Sequence, residues 1–315
     1  MENFSLFEKE EKNECKPFIK WVGGKGQLIP EISKLYPVEL GKTINKYAEI
    51  FIGGGAVLFD ILSKYRLDEV YISDKNLELI NTYKTIRDNI DILIKSLKEM
   101  ENQYVPMNNE DRKVYYYEKR SEYNNLKINI EENNIRKAAL FIFLNKTCFN
   151  GLYRVNKKGE YNVPMGAYKN PKICDEENFK NVSLALKNVK IIYADYRESK
   201  DFIDDKTFVY IDPPYRPLNI TSSFTSYTEN DFSDKEQIEL ANYIDSLNEK
   251  GAKVVISNSD PKNSNENDNF FDDLYKNYNI NRVKATRMLN SNASLRGSIN
   301  ELLITNYKWF EKEME

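Results

Sequence analysis

The chain has 315 residues, 41% of them hydrophobic, and a formal net charge of -3; this is enough apolar material for one large domain or two smaller ones, without the overall basic excess usual in nucleic-acid binders. No apolar run approaches the length of a membrane span, and the opening "MENFSLFEKEEKNECKPF" is too acidic and broken for a secretory signal, so the protein is expected in the cytoplasm with no membrane partner. The absence of histidine excludes imidazole acid-base catalysis, histidine metal ligands and Ser-His or Cys-His nucleophile pairs, while Cys15, Cys148 and Cys174 lack C-x-x-C spacing and read as free thiols with no metal site.

In chain order, "KPFIKWVGGKGQLIPEI" comes first. Trp21 and Lys25 bracket a Gly-Gly turn ahead of a helix, an aromatic face and a cation suited to an adenosyl group and its carboxylate. A strand-like run at 45–52 leads into "EIFIGGGAVLFDIL", where Gly53 and Gly55 precede a helix predicted to begin near Ala56. Glycines let a ligand approach the backbone, and the helix start offers free N–H groups. A second strand at 69–73 ends at Asp74, an acid placed about twenty residues on to bind ribose hydroxyls. The dinucleotide pattern needs a third glycine where Leu58 stands, so NAD is disfavoured and a nucleoside without a pyrophosphate fits better.

From Lys84 to Lys146 the pattern is helical and charged, with "IRKAALFIFLNK" its most apolar piece and no good strand. From Lys146 to Lys172 the chain carries Lys146, Arg154, Lys157, Lys158, Lys169 and Lys172 against the single acid Glu160, a pattern that suits either a solvated loop or a local nucleic-acid contact. These features place an inserted helical domain at 86–180, between the second and third strands. Further strands are predicted at 189–194, 207–211 and 252–258, and the runs "NRVKATRML" and "NELLITNY" suggest an antiparallel hairpin at one edge. The fold class is therefore α/β, a mostly parallel sheet covered on both faces. The Asn-rich stretch 260–269 reads as a mobile loop.

The stretch "FVYIDPPYRPL" carries the chemistry. Asp212 ends a buried strand, where open α/β sheets bind ligands. Pro213 and Pro214 stiffen the next residues and lack N–H groups. A carboxylate and a projecting carbonyl cradle the two hydrogens of a planar exocyclic amine, and Tyr215 offers a ring for its base to stack on, worth roughly 1 to 3 kcal/mol. Read from the residues alone, the amine belongs to adenine, cytosine N4, an RNA adenine or a protein glutamine, and a module that binds DNA and senses the cofactor without transferring a group also stays open.

With these motifs the chain resembles the Dam-like DNA adenine-N6 methyltransferases of group alpha. The resemblance runs from "FIKWVGGK" through "FIGGGA", "ISDKN", "NKTCFNGLYRVNKKGEYNVPMGAYKNP" and "DPPY" to "RGSINELLITNY". It is specific to enzymes that modify GATC, and "DPPYRPLNITSSFTSY" looks most like those of restriction-modification systems, which implies pairing with a restriction endonuclease. It implies a Rossmann-like methyltransferase sheet, with residues 1–85 and 181–315 forming the S-adenosylmethionine-binding catalytic domain and 86–180 the target-recognition domain. Trp21, Lys25, Phe51, Gly53, Gly55, Asp74, Asp195 and Asp212 would hold the cofactor, and Asp212, Pro213, Pro214 and Tyr215 a flipped adenine of double-stranded DNA. Lys20, Asn150, Leu152, Arg154 and Pro164 would read the site, Arg154 gripping guanine O6 and N7 and Pro164 touching a thymine methyl. Ile50 stands where many relatives have proline, and Ala167 where some carry an arginine that contacts phosphate. The polar run "RPLNITSSFTSY" is expected to be mobile in the free enzyme and to order over DNA.

Overall fold

The computed structural model describes residues 14–128, 134–216, 232–286 and 298–308. A one-turn helix, α1 (Ile29–Ile32), precedes strand β1 (Lys46–Glu49), helix α2 (Ala56–Lys64), strand β2 (Glu69–Asp74) and helix α3 (Leu77–Asp88). Helices α4 (Ile90–Tyr104), α5 (Asn109–Asn125), α6 (Ile135–Thr147) and α7 (Glu176–Leu186) follow before strand β3 (Val189–Tyr193). Strand β4 (Thr207–Ile211), helix α8 (Asp234–Glu249), strand β5 (Lys253–Ser259), helix α9 (Phe270–Leu274) and strands β6 (Asn279–Thr286) and β7 (Ser298–Thr305) complete the order.

The seven strands form one sheet in the order β3-β2-β1-β4-β5-β7-β6. Strands β1 to β5 pair in parallel and β7 joins β5 and β6 antiparallel. Every predicted strand is therefore present, and the edge hairpin with it; residues 287–289 of its first run lie outside the described residues. Alternation sorts each strand's side chains onto two buried faces. Tyr47, Phe208, Tyr210, Val255 and Leu303 share one core with the helices around α6, whereas Ala48, Val209, Ile211, Ile256 and Ile304 pack with Leu240, Ile244 and Leu247 of α8. With both faces covered, β4 reads as a continuous apolar run.

Helices α3 to α7 all lie between β2 and β3 in the chain. The apolar helix α6 is buried nearly all round and packs against α3, α4 and α5. Asparagine side chains start α6 and two of its neighbours, α3 and α5: Asn76 accepts from Leu79 N, Asn108 from Asp111 N and Asn134 from Lys137 N, each satisfying an amide the helix cannot. Helix α5 also pins the basic loop that follows α6. Buried Arg112 donates to the carbonyls of Tyr168 and Lys169 at 3.1 and 2.9 Å, Tyr116 donates to Val163 O, and Asn124 exchanges two hydrogen bonds with the Tyr161 backbone.

The Asn-rich stretch 260–269 differs from expectation. Asp260 caps a 3-10 turn and accepts from Arg282 at 2.9 Å, Asn263 exchanges two hydrogen bonds with the Asn300 backbone, and Asp268 pairs with Arg216 at 2.6 Å. Its polar side chains cap and cross-link the backbone, a use that composition alone does not distinguish from a solvated loop. Of the run "RPLNITSSFTSY", residues 217–227 lie outside the described residues. Among the described residues no helix is long and apolar enough to cross a membrane.

Candidate active site

The sheet order reverses between β1 and β4, the position where open α/β sheets leave a crevice at their carboxyl ends. A cavity of about 1170 Å³ opens there, and Trp21, Lys25, Phe51, Gly53, Gly55, Asp74, Asp195, Asp212, Pro213, Pro214 and Tyr215 all line it. The sequence stations these residues on five separate segments; the topology brings them to one wall.

At one end the glycine loop is shaped by backbone need. Gly55 has φ +72° and a Cβ there would stand 2.5 Å from the Tyr83 hydroxyl, while a Cβ on Gly53 would strike the Trp21 ring at 2.8 Å. Trp21 packs on that loop and stacks on Tyr153, centroids 5.6 Å apart. Asp74 accepts from Gly53 N at 3.2 Å and Asn76 N at 2.9 Å, so the acid at the tip of β2 holds the loop as well as facing the cavity. Burial raises its carboxyl above the usual aspartate range, and those backbone amides offset part of the rise. Asp195 also faces burial, which opposes ionisation. The Lys75 ammonium at 2.5 Å and the Arg197 amide outweigh it and hold the carboxyl below its ordinary value.

At the other end stands the Asp-Pro-Pro-Tyr run. Lys25 Nζ, 4% exposed, donates to Gly23 O at 2.8 Å, Tyr215 Oη at 2.6 Å and Asp212 Oδ1 at 2.8 Å, which uses its three protons. Ser257 Oγ donates to the same Asp212 oxygen at 2.8 Å and is itself 2.9 Å from the Tyr210 hydroxyl. Both partners grip Oδ1, so among the described residues Oδ2 keeps no donor. Of the two proline carbonyls, that of Pro214 accepts from buried Gln237 at 3.1 Å, and Asn258 in turn donates to Gln237. The two proline carbonyls are therefore unequal: Pro214 has a donor in Gln237, and Pro213 has none among the described residues.

None of the five residues expected to read a sequence lines this cavity, but chain neighbours of three of them, Ile19, Trp21, Tyr153 and Val155, do. Asn145 bonds both Lys20 N and Lys20 O, and also Gly151 O, tying Lys20 to the loop after α6. Asn150 takes φ 55° in a tight turn, and Phe149 N donates to the carbonyl of Pro164 across the loop. Leu152 and Arg154 lie on one limb and Pro164 on the other, held by the bridges Cys148↔Met165 and Val155↔Tyr161. Arg154 is exposed, with Nε bonded to Asn162 Oδ1 at 2.7 Å.

Sequence reasoning missed Glu49, Ser257, Gln237, Glu301 and Tyr153. Four carry a visible signal, a polar side chain interrupting an apolar strand or helix face. Tyr153 carries none, because its stacking partner is distant in sequence. Burial pushes the Glu49 carboxyl well above the usual range; a hydrogen bond from Tyr47 opposes this and nearby Asp212 adds to it.

Comparisons with known proteins point the same way. A family model described as D12 class N6 adenine-specific DNA methyltransferase matches residues 21–289. The Type II methyltransferase M.MjaIII of Methanocaldococcus jannaschii is 50% identical over 296 residues, covering 93% of this chain and 100% of that protein. The Type II methyltransferase M1.LlaDCHI of Lactococcus lactis subsp. cremoris is 39% identical, covering 96% and 99%. The DNA adenine methylase of Escherichia coli K12 is 33% identical, covering 91% and 94%.

Proposed function

This chain belongs to the D12 class of N6 adenine-specific DNA methyltransferases, and from that premise we propose that it transfers the methyl group of S-adenosylmethionine to adenine N6 in GATC, on a base swung out of the duplex. The observation that carries the reading is a single cavity joining a nucleoside-type pocket to the Asp-Pro-Pro-Tyr run. The donor set fits the cofactor: Asp74 offers acceptors for ribose hydroxyls, Asp195 faces an adenine position, Trp21 and Phe51 supply aromatic walls, and Gly53 and Gly55 let Trp21 and Tyr83 pack closely on the loop that lines the cavity. Lys25 adds positive charge for a carboxylate-bearing ligand. When bound, S-adenosylmethionine supplies a methyl group made electrophilic by its sulfonium.

The chain's own residues then do the positioning. A stacked adenine cannot reach a buried methyl donor, and unstacking costs a few kcal/mol, offset by the cradle that receives the base. Tyr215 takes the ring face, while Asp212 Oδ2 and the Pro213 carbonyl accept the two amine hydrogens. This hold would direct the nitrogen lone pair at the methyl group that the bound cofactor would supply, and the proton displaced from nitrogen would leave to water. Asp212 stabilises the positive charge that develops on nitrogen, and no histidine is required.

In this reading, residues 1–85 and 181–315 hold the cofactor and perform the transfer, and 86–180 reads the DNA. Arg154, forked by Asn162 into the open, grips a guanine. Arg154→Ala is expected to cost about 1 to 3 kcal/mol of discrimination between GATC and a one-base variant. The ratio of kcat/KM on the two duplexes measures it, and an unchanged ratio removes Arg154 from the reading set. The Type II designation of two relatives supports pairing with a restriction endonuclease.

The test is transfer of labelled methyl to duplexes containing GATC, a one-base variant, or GATC already methylated on both strands. Label on the first alone, recovered as N6-methyladenine, is the expected result. No label on any duplex, with cofactor still bound, would overturn the proposed reaction.

A further inference from the structure

Glu301 sits on β7, opposite Ser259 of β5 and Val283 of β6. Its neighbours Leu302 and Ile304 point into the α8 core, so Glu301 and Leu303 face the other side of the sheet, with Ser257 and Asp212. A carboxylate only 13% exposed on that face pays a desolvation cost, and so is retained only with partners that need its charge. Its Oε2 accepts from the Tyr215 hydroxyl at 2.8 Å and lies 3.9 Å from Lys25 Nζ. Tyr215 Oη accepts in turn from Lys25, and Lys25 donates to Asp212. A continuous line of contacts therefore runs from Glu301 through Tyr215 and Lys25 to the carboxylate expected to receive the amine. Glu301 does not itself line the cavity.

We propose that Glu301 is a positioning residue for methyl transfer, acting through the Tyr215 hydroxyl and the Lys25 ammonium. The inference rests on the reading that Asp212 and Tyr215 receive the target base. Glu301 has two effects. By accepting the Tyr215 proton it fixes the direction of that O–H, leaves the hydroxyl lone pair for Lys25, and so holds the tyrosine ring and the Asp212 carboxylate in one register. By standing near Lys25 it also balances an ammonium that lies directly against Asp212. Positive charge develops on the amine nitrogen during transfer; an unbalanced lysine beside it would oppose that charge, and a second carboxylate behind the lysine restores a negative site.

The experiment is a double-mutant cycle of Glu301→Gln and Tyr215→Phe, read as single-turnover methyl transfer to a GATC duplex, with cofactor affinity and thermal midpoint measured on each variant. Glu301→Gln is expected to slow transfer by roughly ten-fold or more with cofactor affinity unchanged. In the Tyr215→Phe background the same change is expected to cost less than in the wild type, since only the charge beside Lys25 is then left to lose. A lowered midpoint with an unchanged rate would overturn the proposal and leave Glu301 a structural residue. So would two rate losses that simply multiply. A wild-type enzyme that transfers no methyl to adenine would overturn the functional reading beneath it, which this result alone distinguishes from failure of the inference about Glu301.

Discussion

Asp212→Ala is expected to lower methyl transfer by roughly a thousand-fold or more while most of the cofactor affinity remains. The size follows from what Asp212 is asked to do. It is the only carboxylate of the Asp-Pro-Pro-Tyr run, it keeps one oxygen without a donor among the described residues, and in the proposed reaction it stands where nitrogen gains positive charge. Without it the amine loses both its orientation and its counter-charge. The fold should survive, because Lys25 retains Gly23 O and the Tyr215 hydroxyl, with Glu301 at 3.9 Å to balance its charge. Asp212 is one of the residues expected to hold the cofactor, but most of the affinity should survive, since Asp74, Asp195 and the glycine loop are held by contacts that do not involve it. Single-turnover transfer and calorimetric titration of S-adenosylmethionine separate the two effects, and near-normal turnover would remove Asp212 from the chemistry.

Much of this arrangement could be read in the sequence because it is local. Strands of four to eight residues ended by glycines, acids or prolines announce both the sheet and its carboxyl-end tips, so Gly53, Gly55, Asp74 and Asp212 could be assigned to one crevice before any coordinates. What escaped is what the sheet pairs across distance. Ser257 meets Asp212 only because Ile256 is in register with Ile211 on β4, and Glu301 faces the same site only because β7 runs antiparallel beside β5. Gln237 reaches the Pro214 carbonyl from α8, a contact no spacing rule encodes. The Asn-rich stretch 260–269 misled for a related reason: composition reports that side chains are polar, but whether water or a neighbouring backbone satisfies them is decided by tertiary structure.

Lys25 joins these distant parts, and Lys25→Met should be costly in both stability and rate. The ammonium is 4% exposed and donates to three acceptors, with Glu49, Asp212 and Glu301 all close enough to feel its charge. Deleting one member of a buried ion cluster leaves the others uncompensated, which typically costs about 3 to 5 kcal/mol. The loss should depend on pH in a definite sense. Burial already raises the Glu49 carboxyl well above its unfolded value; Asp212 raises it further, while Tyr47, the Leu58 amide and Lys25 lower it. A carboxyl raised on folding contributes stability that is complete in acid, below its unfolded value, and lost as pH rises through its folded value. Removing Lys25 lifts Glu49 higher still, so the deficit of Lys25→Met should widen as pH rises from mild acid past the folded value of Glu49 in the wild type, where the wild-type carboxyl ionises and the variant's does not. Urea unfolding below and above that value measures this, and adding Glu49→Gln should flatten the dependence. A deficit that narrows with rising pH would mean that the lysine does not act on these carboxylates through charge.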